Sequence, residues 1–445
     1  MSSSTVVSTA KSVFVETWGC QMNELDGRRF VGLMKRDGWS EAASPEEADL
    51  VLLNTCSIRD KAEQKVYDRL GRLALLKREK EGLVLGVCGC VAQQEGERLL
   101  ERVPHVDFVL GTGRIEALPS VVRRVVEEED RPCETGFDLD EVAYTPGAVA
   151  RTTPHRASIT VVEGCNKNCT FCVVPLTRGR ERNRRLADVV AESRRLVSEG
   201  VVEIELLGQT VNAYRDPETG ETLADLLRSV GALEGLKRLR FVTSHPRNFD
   251  AALIHAMAET PAVCPALHLP VQSGSDGVLR RMKRQYDRAY YVSLVRDLVA
   301  AIPGLALSTD VIVGFPGETE EDFEKTLSLL DEVRFASVFA FVYSPRPRTA
   351  AARWDHDVPL AVASERLARL NDRQREIQRA INTAIEGRVL EVLVEGKDRK
   401  GKRSAGRSAC NRVVNIDVPR LLAPGAFLDV RIERGLPNSL VGLPI

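Results

Sequence analysis

The stretch "ASITVVEGCNKNCTFC", residues 157–172, decides the fold class of the middle of this chain. It begins with a run of apolar and β-branched residues, which is typical of a buried strand. Three cysteines follow that run directly, Cys165, Cys169 and Cys172, in the spacing C-x3-C-x2-C. Because ligands bind at the carboxyl ends of parallel strands in α/β proteins, the pattern predicts a metal site at the mouth of an α/β unit.

The number of cysteines in this loop bears on the identity of the metal. Structural zinc sites usually combine two close pairs of ligands, and no second pair follows here. Two-cluster ferredoxins use another spacing with a fourth cysteine. Three thiolates on a four-iron cluster would leave one iron without a protein ligand, so that iron could bind a small molecule through nitrogen and oxygen. A cluster with one open iron is our preferred interpretation, and zinc is the alternative.

Strand-like runs and helical stretches alternate around and beyond this loop. Between residues 151 and 355, six apolar runs from "ASITVVEGC" to "ASVFAFVYSP" are separated by stretches such as "ADVVAESRRLVSEG". This rhythm predicts a partial barrel of six βα units whose mouth lies at the carboxyl ends of its strands. The candidate ligand contacts at those ends, each of which could instead be a solvated or fold-stabilising loop residue, are Gly208, Gln209, Ser244, Gln272 and Asp310.

A second α/β rhythm precedes the loop, over residues 11–127. The runs "SVFVETWGC", "ADLVLLNTC" and "LVLGVCGC" each end on a cysteine, namely Cys20, Cys56 and Cys90, and "VDFVLGT" follows as a fourth run. A parallel sheet would place these strand ends along one edge, so the three cysteines can converge although they are far apart in sequence. Three unrelated buried cysteines are the alternative, since free cysteine is commonly buried.

The remaining segments predict a linker, a helix and a small barrel. Residues 128–150 are acidic and carry proline and glycine, which indicates a linker. Residues 360–387 have the pattern of a charged amphipathic helix, and the short alternating runs after it predict a small β-barrel over 383–445. A basic stretch of that barrel could bind RNA phosphates or could be a solvated loop; its candidate contacts are Lys397, Lys400, Lys402, Arg403 and Arg407.

Length and composition indicate a soluble protein of about three domains. The 445 residues are 43% apolar and 28% charged with a net charge of −1, so RNA binding would need a local basic patch. The N-terminal "MSSSTVVSTAK" lacks the pattern of a signal peptide, and no apolar stretch is long enough to span a membrane. We therefore expect a cytoplasmic protein, in which ten cysteines are more typical of metal ligands than of disulfides.

Several motifs together resemble the radical S-adenosylmethionine (SAM) methylthiotransferase family. They are "GCQMNELDG", "NTCSIRDKAEQKV" and "GCVAQQEGE" around the first three cysteines, followed by "EGCNKNCTFCVVPLTRGRER", "LGQTVNAY" and "LHLPVQSGSDGVLRRMKRQY". Within the family, these residues look like the tRNA-2-methylthio-dimethylallyladenosine synthase group. Cys90 rather than Cys88 is the expected third ligand because it heads "GCVAQQ", the form that the family uses.

The resemblance implies cofactors and a reaction. Cys165, Cys169 and Cys172 would hold a 4Fe-4S cluster whose open iron binds SAM, and Cys20, Cys56 and Cys90 would hold an auxiliary 4Fe-4S cluster. The mouth residues given above would contact SAM. The substrate would be a tRNA whose adenosine next to the anticodon, at position 37, already carries a dimethylallyl group, and the product would carry a methylthio group at carbon 2.

The resemblance also implies a domain order and partners. An N-terminal methylthiotransferase domain would occupy residues 11–127, a radical SAM core 151–380, and a TRAM RNA-binding domain 383–445. A reducing electron-transfer protein and a sulfur-supplying or cluster-carrier protein would be partners, and the chain would act as a monomer. Two alternatives stay open: a methylthiotransferase for another tRNA adenosine or a ribosomal protein, and a zinc-stabilised RNA-binding protein without catalysis.

Overall fold

The computed structural model describes residues 11–57, 60–137, 144–145, 147–398, 400–418 and 420–445. Most of the N-terminal stretch that shows no signal peptide, residues 1–10, lies outside this range. The chain forms two compact units, the first made of the residues up to 152 with 163–166 and 173–182, and the second of 153–162, 167–172 and 183–445. In the described part of the chain, no helix has the length and apolar character needed to cross a membrane.

The first unit contains a parallel sheet with helices on both faces, as the sequence predicts. The sheet order is β2-β1-β3-β4-β5-β6, and every neighbouring pair is parallel. One face packs on Phe30 and Val121, and the other packs on Leu70 and Leu99. The elements are β1 (Ser12–Thr17), α1 (Gln21–Arg36), β2 (Ser40–Glu41), β3 (Leu50–Thr55), α2 (Asp60–Glu79), β4 (Val84–Cys88), α3 (Gly89–Glu95), α4 (Glu97–Arg102), β5 (Phe108–Leu110), α5 (Leu118–Glu127) and β6 (Cys133–Glu134).

Part of the expected linker is built into this unit. Cys133 and Glu134 form the edge strand β6 beside β5. Ala148 is buried against α1, where its carbonyl oxygen would lie 1.5 Å from a β-carbon added at Gly32. The prediction of a plain linker over 128–150 is therefore wrong for its two ends, because backbone pairing and packing fix them. Residues 138–143 and 146 of that segment lie outside the described residues.

The second unit contains the partial barrel of six βα units that the sequence predicts. Its strands form the sheets β10-β9-β7-β8 and β11-β12-β13, and a parallel bridge between Leu239 and Val263 joins the two. Along this part of the chain, where α6 belongs to the first unit, the elements are β7 (Arg156–Glu163), α6 (Val174–Thr177), β8 (Arg182–Asn183), α7 (Leu186–Ser198), β9 (Glu203–Gly208), α8 (Leu223–Gly231), β10 (Arg238–Phe241), α9 (Ala251–Glu259), β11 (Ala266–His268), α10 (Asp276–Arg281), α11 (Arg288–Ala301), β12 (Ala306–Val313), α12 (Glu320–Val333) and β13 (Ser337–Val342).

A closed five-stranded barrel ends the chain, which confirms the predicted small β-barrel. It follows α13 (Leu360–Thr383), and its strand order is β14-β15-β16-β18-β17. Alternate residues such as Val392, Val414 and Val430 fill its interior, as expected for strands with one buried face. The strands are β14 (Val389–Lys397), β15 (Ser404–Ser408), β16 (Val413–Ile416), β17 (Phe427–Gly435) and β18 (Leu440–Pro444).

Candidate functional site

The strand register of the first unit brings the ends of β1, β3 and β4 side by side. Thr17 pairs with Asn54, and Asn54 pairs with Cys88, so the three strands stop at the same edge of the sheet. Cys20 then caps α1, Cys56 follows β3, and Cys90 is the second residue of α3. The arrangement predicted from the sequence, three cysteines at three strand ends, is therefore present in the fold.

Contacts of Gly19 and Asn23 connect the chain segments that carry these cysteines. Gly19 has a φ of +127°, and a β-carbon there would lie 2.6 Å from Cβ and 2.9 Å from Sγ of Cys56. The Asn23 side chain donates to the carbonyl oxygen of Thr55 at 2.7 Å, and its Oδ1 lies 3.9 Å from Sγ of Cys90. Asn23 therefore links the ends of two strands to α1, a role that the sequence analysis missed although the residue lies within "GCQMNE".

Cys88 and Cys90 have different surroundings. Cys88 is the last residue of β4, has no exposed surface and packs in the apolar core. Burial raises the pKa of both thiols. For Cys90, the guanidinium of Arg178 acts against burial and lowers the pKa, whereas Cys20 raises it. Sγ of Cys90 lies 3.9 Å from Oδ1 of Asn23 on α1, the helix that begins after Cys20, whereas Cys88 packs in the apolar core.

The residues present at this edge fit an iron–sulfur cluster. Thiolates are the ligands that such clusters use, and three cysteines lie at this edge. Across the described ranges, no group of three or more His, Cys, Asp or Glu side chains is arranged to hold a metal ion. In a four-iron cluster each thiolate binds a different iron atom, so the three side chains need not point at one ion.

The C-x3-C-x2-C loop is fixed on both sides by backbone contacts. At its start, the amide of Cys165 donates to the carbonyl of Gly179 at 3.2 Å, and Gly164 has a φ of +74°. At its end, the amide of Cys172 donates to the carbonyl of Cys169 at 3.1 Å. Thr170, between those two cysteines, exchanges backbone hydrogen bonds with Met282 and Ala351, at 3.2 and 2.9 Å.

A buried arginine that the sequence analysis missed supports the second part of this loop. Arg284 donates to Sγ of Cys169 at 3.4 Å, to the carbonyl of Pro270 at 2.9 Å and to the hydroxyl of Tyr286 at 3.0 Å. Hydrogen bonds to cluster sulfurs and cysteine ligands are among the factors that set the properties of iron–sulfur clusters. Arg284 lies in the quoted motif "VLRRMKRQY", but spacing alone gives no reason to connect it with Cys169.

The barrel mouth contains buried polar atoms that lack protein partners. Within the described residues, Oε1 of Gln209, Oγ of Ser244, the hydroxyl of Tyr343 and Oγ of Ser344 are buried and accept or donate no hydrogen bond. All four follow the carboxyl ends of strands β9, β10 and β13. Buried polar groups are nearly always paired, so this set fits a polar ligand such as SAM.

The other predicted mouth residues have contacts within the protein. A β-carbon at Gly208 would lie 2.8 Å from the carbonyl oxygen of Val162, so close strand packing already requires a glycine there. Gln272 has a φ of +75°, and its amide donates to the carbonyl of Asp310 at 2.9 Å. The Asp310 carboxylate lies 3.3 Å from Nε2 of His268. Contact of these three residues with a ligand stays a prediction.

His245 is held in a neutral form beside the mouth. Burial, together with Arg284, Lys167 and Arg247, lowers its pKa to about 2. Its backbone exchanges hydrogen bonds with the side chain of Asn212 at 2.8 and 2.9 Å. Its Nδ1 accepts from the amide of Arg247 at 3.3 Å, so the imidazole helps to fix the turn that follows β10.

One face of the sheet β11-β12-β13 is open. The face with Val338 and Ala340 packs on the helices, whereas Phe339 and Phe341 on the other face are 52% and 46% exposed. Phe339 pairs with Asp310 across the strands, and its ring meets His268 edge-on at 5.8 Å. Since parallel sheets normally have both faces covered, this aromatic face is available to a flat, apolar partner.

The predicted RNA contacts lie along one hairpin of the C-terminal barrel. Lys397 ends β14, and Lys400 and Lys402 lie in the turn after it, where Asp398 accepts from the amide of Lys402 at 2.8 Å. Arg403 is 3.4 Å from Asp417 and Arg407 is 3.3 Å from Glu395. The three lysines therefore offer more available charge to a phosphate than the two arginines, which share theirs with carboxylates.

Comparison with known proteins agrees with each part of this architecture. Family models match at residues 12–111 (uncharacterized protein family UPF0004), 159–330 (radical SAM superfamily) and 384–444 (TRAM domain). Two solved structures with a similar fold are the radical S-adenosylmethionine methyltransferase TsrM from Kitasatospora setae (TM-score 0.57, 15% identity, 77% of each chain) and the cobalamin-dependent S-adenosylmethionine radical enzyme OxsB (TM-score 0.53, 13% identity, 83% of this chain and 56% of that chain). The fold and its cysteine loop thus define the class, a radical SAM protein.

Curated relatives narrow the class to one family. The tRNA-2-methylthio-N(6)-dimethylallyladenosine synthase of Geobacter sulfurreducens is 47% identical over 97% of both chains. The synthase of Solibacter usitatus is 45% identical over 98% of both chains, and that of Anaeromyxobacter dehalogenans is 49% identical over 97% of this chain and 94% of that chain. The chain belongs to the tRNA-2-methylthio-N(6)-dimethylallyladenosine synthase family.

Proposed function

We propose that this protein converts dimethylallyladenosine at position 37 of tRNA to its 2-methylthio derivative. The observation that carries this proposal is the 47% identity with a synthase of that name over nearly the full length of both chains. The match includes the segments with both cysteine trios, the barrel mouth and the C-terminal barrel. The alternatives from the sequence, another methylthiotransferase substrate or a zinc-stabilised binding protein, are not favoured by these relatives.

The cofactors are two 4Fe-4S clusters and SAM, and separate sets of residues are proposed to bind each of them. We assign Cys165, Cys169 and Cys172 to one cluster, and Cys20, Cys56 and Cys90 to the other. When bound, these cofactors supply the radical and sulfur chemistry. Oε1 of Gln209, which can accept, and Oγ of Ser244, which can accept or donate, have no protein partner and are proposed to form hydrogen bonds with SAM. Gly208, Gln272 and Asp310 are further proposed contacts.

The open face of β11-β12-β13 is our proposed position for the substrate base. Chemistry on carbon 2 of an adenine in an anticodon loop requires the base to leave its stack and enter a protein pocket. Phe339 and Phe341 offer exposed rings on which a flat base can stack and which a dimethylallyl group can cover. The pair of His268 and Asp310 beside Phe339 adds polar groups that can meet the edge of the base.

The domain order and the RNA contacts are part of the same proposal. We propose that residues 11–127 carry the auxiliary cluster, 151–380 form the radical SAM core and 383–445 bind tRNA; the three matched family models lie within these ranges. Lys397, Lys400 and Lys402, with Arg403 and Arg407, would contact phosphates. We further propose that the chain works as a cytoplasmic monomer with an electron-transfer protein and a sulfur-supplying or cluster-carrier protein.

Mass spectrometry of tRNA nucleosides tests the reaction. Cells that lack the gene should accumulate dimethylallyladenosine and lose its 2-methylthio derivative, and the wild-type gene should restore the product. A gene with Cys20→Ala should not restore it, because the auxiliary cluster would lack a ligand, whereas Cys133→Ala serves as the matched control and should restore it. An unchanged level of the methylthio product in the deletion strain would remove the proposed substrate.

Anaerobic reconstitution tests the cofactors separately. Two four-iron clusters correspond to about eight irons and eight sulfides per chain, with a brown colour. Cys20→Ala should lower the iron content by about half and still allow SAM cleavage after reduction. Stoichiometric zinc in colourless protein would instead support the non-catalytic alternative.

A further inference from the structure

A buried arginine lies beside the N-terminal cysteines although it comes from the segment after the C-x3-C-x2-C loop. Arg178 follows α6, and the segment 173–182 belongs to the first compact unit. Only 5% of Arg178 is exposed. The guanidinium is therefore removed from water and must find its partners among the residues around it.

Two of those partners come from α1 and orient the guanidinium. Nη1 of Arg178 lies 2.6 Å from a carboxylate oxygen of Asp26, and Nη2 donates to Oδ1 of Asn23 at 2.5 Å. Asn23 is the side chain that links the ends of the cysteine-bearing strands, and its Oδ1, which accepts from Arg178, also lies 3.9 Å from Sγ of Cys90, so the guanidinium lies beside that sulfur. Asp26 and Asn23 thus fix the guanidinium of Arg178 beside the cysteines at this edge of the sheet.

The neighbouring carboxylates are shared with other cations. Arg29 lies 3.7 Å from Asp26, 2.9 Å from Glu116 and 3.2 Å from Glu163. Arg182 is a further partner of Glu163, at 3.2 Å. The three guanidiniums of this group balance its three carboxylates, so loss of Arg178 would leave one uncompensated negative charge beside the cysteines.

We propose that Arg178 is a positioning residue for the auxiliary cluster: paired with Asn23, it holds a positive charge beside Cys90, and that charge raises the reduction potential of the bound cluster. Hydrogen bonds to sulfur and nearby charge both set the potential of iron–sulfur clusters. Reduction adds a negative charge, which a neighbouring guanidinium stabilises, so loss of Arg178 should make the potential more negative. This inference rests on the proposed function only in that the N-terminal cysteines hold a cluster.

A variant with a single cluster provides the test. In full-length protein with Cys165→Ala, Cys169→Ala and Cys172→Ala, anaerobic reconstitution should give about four irons per chain, all in the auxiliary site. The midpoint potential is then measured by redox titration with electron paramagnetic resonance detection. If this parent protein binds no cluster, the assignment of the N-terminal cysteines is wrong, and that failure is distinct from a failure of the role of Arg178.

Three changes in that background separate charge from packing. Arg178→Met keeps the length of the side chain and removes its charge, and we expect a more negative potential with an altered resonance signal. Arg178→Lys keeps the charge, and the potential should lie closer to that of the parent. Arg182→Met removes an ion pair from the same segment and is the control, with an expected potential equal to that of the parent.

Each possible result bears on the proposal. Equal potentials for Arg178→Met and the parent, at equal iron content, would overturn it. If Arg178→Met holds no iron, recovery of iron in Arg178→Lys supports the proposal, whereas loss of iron in both variants overturns it, because a retained charge would then be without effect.

Discussion

At the scale of single residues, Ser244 illustrates a conflict between stability and binding. Its hydroxyl is buried at the mouth without a hydrogen-bond partner among the described residues. A buried hydroxyl without a partner costs about 1–3 kcal/mol, and a bound ligand that pairs with it would recover part of that cost. A buried polar atom without a partner is therefore a better indication of a ligand site than the position of a residue at a strand end.

Replacing this hydroxyl should therefore have opposite effects on folding and on SAM. We expect Ser244→Ala to keep or raise the melting temperature of the protein without SAM and to weaken SAM binding about 2- to 10-fold, the range of one hydrogen bond. Differential scanning calorimetry and equilibrium binding of SAM measure the two effects. A lower melting temperature together with unchanged SAM affinity would show that Ser244 serves the fold alone.

His245 predicts a particular dependence of stability on pH. Its pKa falls to about 2 in the folded protein because of burial, whereas unfolded histidine has a pKa of about 6.5. The unfolded chain binds a proton below pH 6.5 that the folded chain refuses, so this residue makes the fold less stable as the pH falls from 6.5. Between pH 7 and pH 5 the loss is about 2 kcal/mol.

The measurement compares denaturant unfolding of wild-type protein and His245→Gln at both pH values. The variant should lose less stability on going from pH 7 to pH 5 than the wild type loses. The same loss in both proteins would mean that His245 titrates normally in the fold.

At the scale of helices and strands, the sequence predicts the elements that have long patterns. The apolar runs that correspond to β1, β3, β4 and β5 are long enough to predict buried strands. The same holds for the apolar runs of the partial barrel. The two-residue strands β2 and β6 were missed because two residues cannot display an alternation. Arg284 was missed for another reason, since its contact with Cys169 joins residues that are 115 positions apart in sequence. The contact of Arg178 with Asn23, 155 positions away, was not predicted for the same reason.

Gly208 tests strand packing against ligand contact. A β-carbon there would meet the carbonyl oxygen and Cβ of Val162 at 2.8 and 2.9 Å, between the paired strands β7 and β9. We expect Gly208→Ala to destabilise the protein by about 1–3 kcal/mol through overpacking, even without SAM. Gly71→Ala is the control: apart from its neighbours in the chain and the backbone of its own helix, no atom lies within 4 Å of the added carbon, and alanine should stabilise helix α2 by up to about 1 kcal/mol. Equal stability of Gly208→Ala and wild type would contradict the packing argument and would favour a role of Gly208 in ligand binding.

At the scale of the whole molecule, periodicity predicts a parallel sheet, then a partial barrel, then a small β-barrel, but it does not predict how the small β-barrel is attached to the partial barrel. Within the second unit, arginines of strand β10 hold the C-terminal barrel to the partial barrel. Arg240 donates to the carbonyls of Ser408 and Ala409 at 3.0 and 2.9 Å. Charged residues at a strand start suggest exposure, so the sequence gives no sign of this interface.

Arg238 makes the attachment testable. It is 2% exposed, and its guanidinium donates to the carbonyls of Arg407 and Glu391 at 2.7 and 3.0 Å. Replacing it by methionine leaves these part-buried carbonyls without this partner, and we expect a loss of about 1–3 kcal/mol at this interface. The C-terminal barrel of Arg238→Met should then open more often, which faster hydrogen exchange in β14 and β15 would report, and tRNA should bind more weakly because the basic hairpin is no longer held in place. Arg296→Met, on a side chain that is 76% exposed, is the control and should leave both readouts unchanged. Unchanged exchange in Arg238→Met would mean that packing of the two surfaces, rather than this guanidinium, holds the barrel to the core.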